Sequence, residues 1–68
     1  MLTWLIYDIR DDKSRLKVAK FCKNAGLTRV QKSVFLGNLE SNRMDELLLQ
    51  CEEKIDTKSD SLYIFPMC

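Results

Sequence analysis

The sequence has 68 residues, 46% of them hydrophobic, and 11 Lys and Arg stand against 10 Asp and Glu for a formal net charge of +1. This length holds one small domain, residues 1–68, and the apolar fraction excludes a disordered chain. The charge balance excludes bulk attraction to nucleic acid. The lack of His excludes imidazole catalysis and His-ligated metals, and no stretch is long enough to cross a membrane.

The N-terminus has no basic region ahead of an apolar core, so no signal peptide is expected. Cys22, Cys51 and Cys68 are too widely spaced for a zinc site and are read as reduced thiols of a cytoplasmic protein. Any metal would be held by oxygen ligands, hence Mg²⁺, Mn²⁺ or Ca²⁺. A chain this short buries a modest core, so a staple or a partner subunit is expected.

Leu2 to Ile9 is apolar on both faces, with Trp4 and Ile6 on one side and Leu5, Tyr7 and Ile9 on the other. That pattern predicts a strand covered on both sides. Asp8 interrupts it. A buried, unpaired carboxylate is costly, so an arginine, backbone N–H groups or a metal ion should compensate it. From the residues alone Asp8 is either a metal ligand or a strand-end cap of the following turn.

Asp11 and Asp12 are helix starters, and a helix over Lys13–Ala25 puts Val18, Phe21, Cys22 and Ala25 on one stripe. Lys13, Lys17, Lys20 and Lys23 lie opposite, either a phosphate-contacting face or a solvated one. Gly26 is placed to end this helix in the left-handed region. "LTRVQKSVFLGNL" reads as two short strands, Leu27–Gln31 and Ser33–Leu39, joined by a tight turn or bulge. Ser41 or Asn42 caps a second helix, Arg43 to Ile55, with an apolar stripe of Met44, Leu47, Leu48, Cys51 and Ile55. "DTKSD" is a polar loop, and "SLYIFP" is a last strand stopped by Pro66.

The order strand, helix, strand, strand, helix, strand predicts an α+β, ferredoxin-like split βαβ fold with one antiparallel sheet. Both helices fall on one face. Trp4, Ile6 and the apolar last strand then call for a second subunit on the other, making a homodimer.

"LIYDIRDD", "GLTRVQKSVFLGNL" and "DSLYIFPMC" together resemble the Cas-two family of CRISPR-associated proteins, from Leu2 to Cys68. The resemblance implies a small homodimer acting with the Cas-one integrase in spacer capture. It also implies a metal-dependent endonuclease on single-stranded RNA or double-stranded DNA. On that resemblance Asp8 is the metal-binding catalytic residue and Tyr7 its aromatic neighbour. Arg15 and Lys17 are the basic residues early in the first helix, and Arg29, Ser33 and Phe35 belong to the "RVQKSVF" block. Family members usually continue into a further strand that adds to the partner's sheet, whereas this sequence reaches Cys68.

Mg²⁺ keeps several waters and takes one or two carboxylates plus phosphate oxygens, with Mn²⁺ as an alternative. A two-fold axis beside the first strand would bring both copies of Asp8 to one ion, which would polarise the phosphodiester and activate water. Proton transfer would fall to Asp8 or solvent. Lys13, Lys17, Lys20 and Arg29 are the candidate nucleic-acid contacts. Arg29 either binds phosphate in a fork or makes a cross-strand ion pair, and Arg15, nearer the apolar side of its helix, either joins the phosphate-contacting residues or pairs with a carboxylate. Tyr7 and Phe35 either stack on bases or pack in the core. The alternatives to a nuclease are a non-catalytic DNA-spacing adaptor for the integrase and a toxin ribonuclease related to VapD.

Overall fold

The computed structural model describes residues 1–67. Alternation along the first strand decides the layout. β1 (Leu2–Asp8) buries Thr3, Leu5 and Tyr7 and turns Leu2, Trp4, Ile6 and Asp8 the other way. β1 lies inside the sheet, antiparallel to β3 (Val34–Asn38) on one side and to β4 (Ser61–Met67) on the other. β2 (Thr28–Gln31) pairs with β3, so the strand order is β2-β3-β1-β4. With α1 (Asp12–Asn24) and α2 (Ser41–Glu52) between strands, this is the expected split βαβ topology.

Both helices cover the face that carries Leu5, Tyr7 and Phe35. Val18, Ala19 and Cys22 of α1 and Leu47 and Cys51 of α2 pack there, joined by Ile9, Leu27 and Leu39. Burying a side chain the size of Leu5, Val18 or Phe35 contributes roughly 1.5–3 kcal/mol each. The two thiols meet between the helices. A hydrogen bond with Cys51, then burial, pushes the Cys22 thiol well above its ordinary value, and both thiols are buried and free of a disulfide. Cys68 lies outside the described residues.

The strand expected to be covered on both sides is covered on one. Ile6 keeps 37% of its surface and Leu2 39%, while Tyr63, Phe65 and Met67 of β4 keep 54%, 49% and 43%. Each of these sits in register beside another apolar residue. Ile6 lies between Val34 and Tyr63, and Trp4 between Leu36 and Phe65. The chain's two helices are both spent on the opposite face, which leaves this one an open apolar surface.

Local chemistry sets the element ends. Asp11 is the N-cap of α1, and its carboxylate accepts a hydrogen bond from the Ser14 N–H at 2.9 Å. Asp12 becomes the first helical residue. At the other end Gly26 adopts φ +96°, with its N–H on the Lys23 carbonyl and the Leu27 N–H on the Cys22 carbonyl. That is the Schellman arrangement, and it ends α1 one residue earlier than Ala25. Gly37 of β3 passes close to this cap. A Cβ there would meet Leu27 Cδ2 at 2.9 Å and the Gly26 carbonyl and Leu27 Cα at 3.2 Å, so a larger residue would have to shift the Leu27 side chain and press on the cap.

The second helix starts earlier than expected. Its N-cap is Glu40, with no side-chain cap bond, so neither Ser41 nor Asn42 caps it. The Asn42 side chain instead takes the neighbouring Arg43 N–H. α2 also ends at Glu52, before Ile55. Between β2 and β3 the chain turns on Lys32 and Ser33 alone, and a register shift between Arg29 and Gln31 adds a bulge in β2.

Candidate functional site

Two groups of candidate residues meet at one end of the sheet, on opposite faces of β1. Asp8 closes the strand opposite Ser61 of β4 and points to the open apolar face. Its carboxylate is exposed and makes no hydrogen bond or ion pair among the described residues. It caps nothing. The cap of α1 is Asp11, and the loop after Asp8 is held by Asp60. One Asp60 oxygen accepts from the Arg10 N–H at 3.1 Å and the other from the Asp56 N–H at 2.9 Å. The compensation expected for a buried carboxylate is not needed, because the strand's alternation leaves Asp8 in water.

Tyr7 points the other way, into the core. It is 2% exposed, stacked on the fully buried Phe35 with ring centroids 6.2 Å apart. Neither ring is available to stack on a base. Packing against the helices encloses both, and Arg29 rests against them. Its guanidinium carbon lies 5.5 Å from the Phe35 ring centroid, within cation–π range. Its Nε and Nη2 donate to the Lys32 carbonyl at 3.2 and 2.9 Å, and Nη2 also reaches the Tyr7 hydroxyl at 3.4 Å. The cross-strand ion pair considered for Arg29 is not made. The turn's carbonyl takes the place of a carboxylate and leaves the positive charge unneutralised.

Arg15 reaches back from the first turn of α1. It donates to the Ile9 carbonyl at 3.2 Å and pairs with Asp12, as its place near the apolar side suggests. Asp12 is 82% exposed, so this pair is worth little. Arg15 and Arg29 then line one pocket together with Lys32 and Ser33. The Tyr7 N–H donates to the Ser33 carbonyl at 3.1 Å and ties this turn to β1 beside Asp8. Lys13, Lys17, Lys20 and Lys23 are all exposed, on the side of α1 away from Val18 and Cys22. None of them lines the Arg15–Arg29 pocket or bonds to Asp8 among the described residues. Sequence reasoning passed over Lys32 and Asp60. The signal for Lys32 is its place in a two-residue turn, and for Asp60 the Asp-x-x-x-Asp spacing of "DTKSD".

A family model, CRISPR associated protein Cas2, matches residues 1–68. This chain belongs to the Cas2 family. It is 41% identical over its whole length to the CRISPR-associated endoribonuclease Cas2 of Desulforudis audaxviator, covering 64% of that protein. It is 40% identical, again over its whole length, to the CRISPR-associated endoribonuclease Cas2 1 of Archaeoglobus fulgidus, covering 72% of that one. The chain thus spans just under two thirds of the first relative's length. Among solved structures, a hypothetical protein TT1823 from Thermus thermophilus superposes with a TM-score of 0.90 at 36% identity, over 98% of this chain and 80% of that one. Streptococcus pyogenes Cas2 superposes with a TM-score of 0.88 at 27% identity, over 100% of this chain and 87% of that one. The expected family and the expected ferredoxin-like fold both stand.

Proposed function

We propose that this Cas2 chain is a metal-dependent endonuclease of CRISPR spacer capture, working as a homodimer in which Asp8 of each copy serves one shared site. The observation that carries the proposal is the Asp8 carboxylate, free and exposed at the end of an otherwise apolar open sheet face. A second copy laid on that face would bury Ile6, Tyr63 and Phe65 and bring the two aspartates to a common edge. Endoribonuclease and endonuclease are the activities named for relatives of this chain, which supports nuclease chemistry.

Carboxylate oxygen is the donor that Mg²⁺ or Mn²⁺ takes, so Asp8 fits such an ion in kind. It fits in number only when doubled. Among the described residues of one chain no cluster of three or more His, Cys, Asp or Glu is placed to hold a metal. Two aspartates, with waters and substrate phosphate oxygens, make a set that Mg²⁺ accepts. When bound, such an ion supplies polarisation of the phosphodiester and a more acidic water. Asp8 anchors the group and is the nearest proton acceptor in a chain without His. Arg29, held by Tyr7, Phe35 and the Lys32 carbonyl, supplies positive charge at the same end of the sheet. Lys13, Lys17 and Lys20 contact backbone phosphates from the helix surface without sequence preference.

The single carboxylate per chain also favours a second reading, a scaffold that spaces Cas-one integrase subunits along a DNA duplex without cutting it. Family membership sets both readings ahead of the VapD-like toxin. The deciding test compares the full chain with Asp8→Asn on single-stranded RNA and double-stranded DNA, with Mg²⁺ and with chelator. Cleavage that needs Mg²⁺ and falls at least a hundredfold in the variant supports the nuclease. Equal cleavage by both proteins, or none by either, leaves the scaffold. The protein acts in the cytoplasm in either case.

A further inference from the structure

We propose that the outer faces of α1 and α2 form a second self-association surface, on which a copy of this chain docks with its α1 against α2 and its α2 against α1. The surface is separate from the open sheet face and does not rest on the nuclease reading.

The two helices cover one face of the sheet side by side, with a groove lined by both between them. Their outer sides carry opposite charge. On α1, Lys13, Lys17 and Lys20 are exposed, opposite Val18 and Cys22. On α2 and its C-cap, Asp45, Glu46, Glu52 and Glu53 are exposed, away from Leu47 and Cys51. None of these charges is in an ion pair among the described residues. The charges of the other sign are placed apart: Asp12 is paired with Arg15, and Arg43 lines the groove between the helices.

Each stripe has a leucine within it. Leu16 keeps 70% of its surface and Leu49 62%, more than any other large apolar side chain among the described residues. Leu16 follows Lys13 by three residues and precedes Lys20 by four, and Leu49 stands four from both Asp45 and Glu53. Helical spacing therefore sets each leucine between charges of one sign. A single exposed leucine is ordinary. Two of them, one among lysines and one among carboxylates, match each other as an apolar centre with a complementary charged rim.

Both stripes are also unfavourable in a lone chain. Lys13 repels Lys17 at i,i+4, and Lys17 repels Lys20 at i,i+3. Glu52 and Glu53 stand at the C-terminal end of α2, where the helix dipole disfavours anions, and no basic residue lies in that last turn. Opposite charges from a second copy relieve both. A two-fold axis between the helices, lying in the plane of contact, brings α1 over α2 of the other copy and α2 over its α1. Both contacts then form together and the interface closes on itself. Exposed ion pairs are individually weak and screened by salt, so this association is weak and salt-sensitive. The same lysines serve phosphates in the reading above, so nucleic acid and a second copy compete for them.

The test is a charge exchange in the full chain. One variant carries Lys13→Glu with Lys20→Glu, the other Asp45→Lys with Glu53→Lys. All four positions are exposed, and circular dichroism checks that each variant keeps the parent fold. Should a pair fail to fold, the single exchanges Lys20→Glu and Glu53→Lys take its place with the same readings. In sedimentation equilibrium at low ionic strength, each variant alone should lose association relative to the parent chain. An equal mixture should regain it by about tenfold, because every stripe then faces the opposite sign. Salt at about 0.5 M should remove the gain, and Leu49→Gln in both variants should reduce it several-fold. A mixture that associates no more than its separate parts would overturn the proposal. So would a gain that Leu49→Gln leaves intact, which is attraction between opposite net charges alone. Ile6→Asp added to both variants should leave the gain in place, whereas its loss would assign the contact to the sheet face and overturn the proposal.

Discussion

The two faces of β1 are built from equally apolar residues and end in opposite states. Leu5 and Tyr7 are sealed under α1 and α2, whereas Ile6, one position away, keeps 37% of its surface. Hydrophobicity does not separate them. The difference lies in what the rest of the chain supplies, since two crossover helices of the same hand cover one face only. The covered face is the fold's interior, and the open face is an apolar surface that one chain leaves in water. Asp8 and Tyr7, neighbours in sequence, are divided by the same alternation, one toward the open face and one into the core.

The largest effect that tests this contrast comes from paired truncations of Phe35 and Phe65. Phe35 is fully buried and Phe65 is 49% exposed. Phe35→Ala should cost about 3–5 kcal/mol in denaturant unfolding, and it removes the ring beneath Arg29 as well. Phe65→Ala should stay within about 0.5 kcal/mol for the isolated chain, measured at dilution. Equal losses would mean that the open face is already part of the chain's own core.

Ile6→Asp sharpens the same comparison from the other side. The residue faces solvent between Val34 and Tyr63, so a charge there is tolerated by one chain and rejected by an interface. Self-association should weaken by about 2 kcal/mol or more, roughly thirty-fold, in sedimentation equilibrium. Unfolding of the separated chain should hardly change. Association that survives would place the partner elsewhere on the molecule.

Much of this arrangement is legible in the residues, and the parts that are not share a cause. Periodicity in β1 and α1 is strong, and Gly26 marks a helix end because few other residues take its backbone angle. The start of α2 was misplaced because Ser41 and Asn42 are good caps by type. The helix there begins at a Glu40 that makes no cap bond, so side-chain capping does not mark the boundary. At the candidate site, Asp8 and Arg29 were visible as chemistry. Whether Arg29 faced a carboxylate or a carbonyl depended on a two-residue turn whose backbone no periodicity describes. Tyr7 and Phe35 were open between base stacking and core because the choice depends on which face the helices cover.

A smaller effect tests the cap that ends α1 beneath the covered face. Gly26 has φ +96°, and nothing crowds a Cβ placed on it. The cost of Gly26→Ala is therefore conformational alone, about 1 kcal/mol in unfolding free energy. A larger loss would show that the Leu27 and Gly37 contacts behind the cap also move.

The smallest effect concerns Asp11, at the entry to α1 and within three residues of Asp8. Its carboxyl is held below its ordinary value of 3.8, first by the hydrogen bond from the Ser14 backbone N–H and then by the Ser14 side chain. A carboxyl whose pKa is lowered by folding stabilises the fold above its unfolded value and loses that contribution as pH falls through the folded one. The contribution should therefore be complete above about pH 5 and fade as the pH drops below 3.8. Asp11→Ala should be less stable than the parent chain at neutral pH and equal to it in strong acid, when both are melted across that range. Ser14 has a second donor to offer, and its hydroxyl can serve Asn as well as Asp at position 11. Asp11→Asn should keep the cap and lose only the pH dependence, which separates the hydrogen bond from the charge. If Asp11→Asn instead kept the full pH dependence, the Asp11 cap would not be its source.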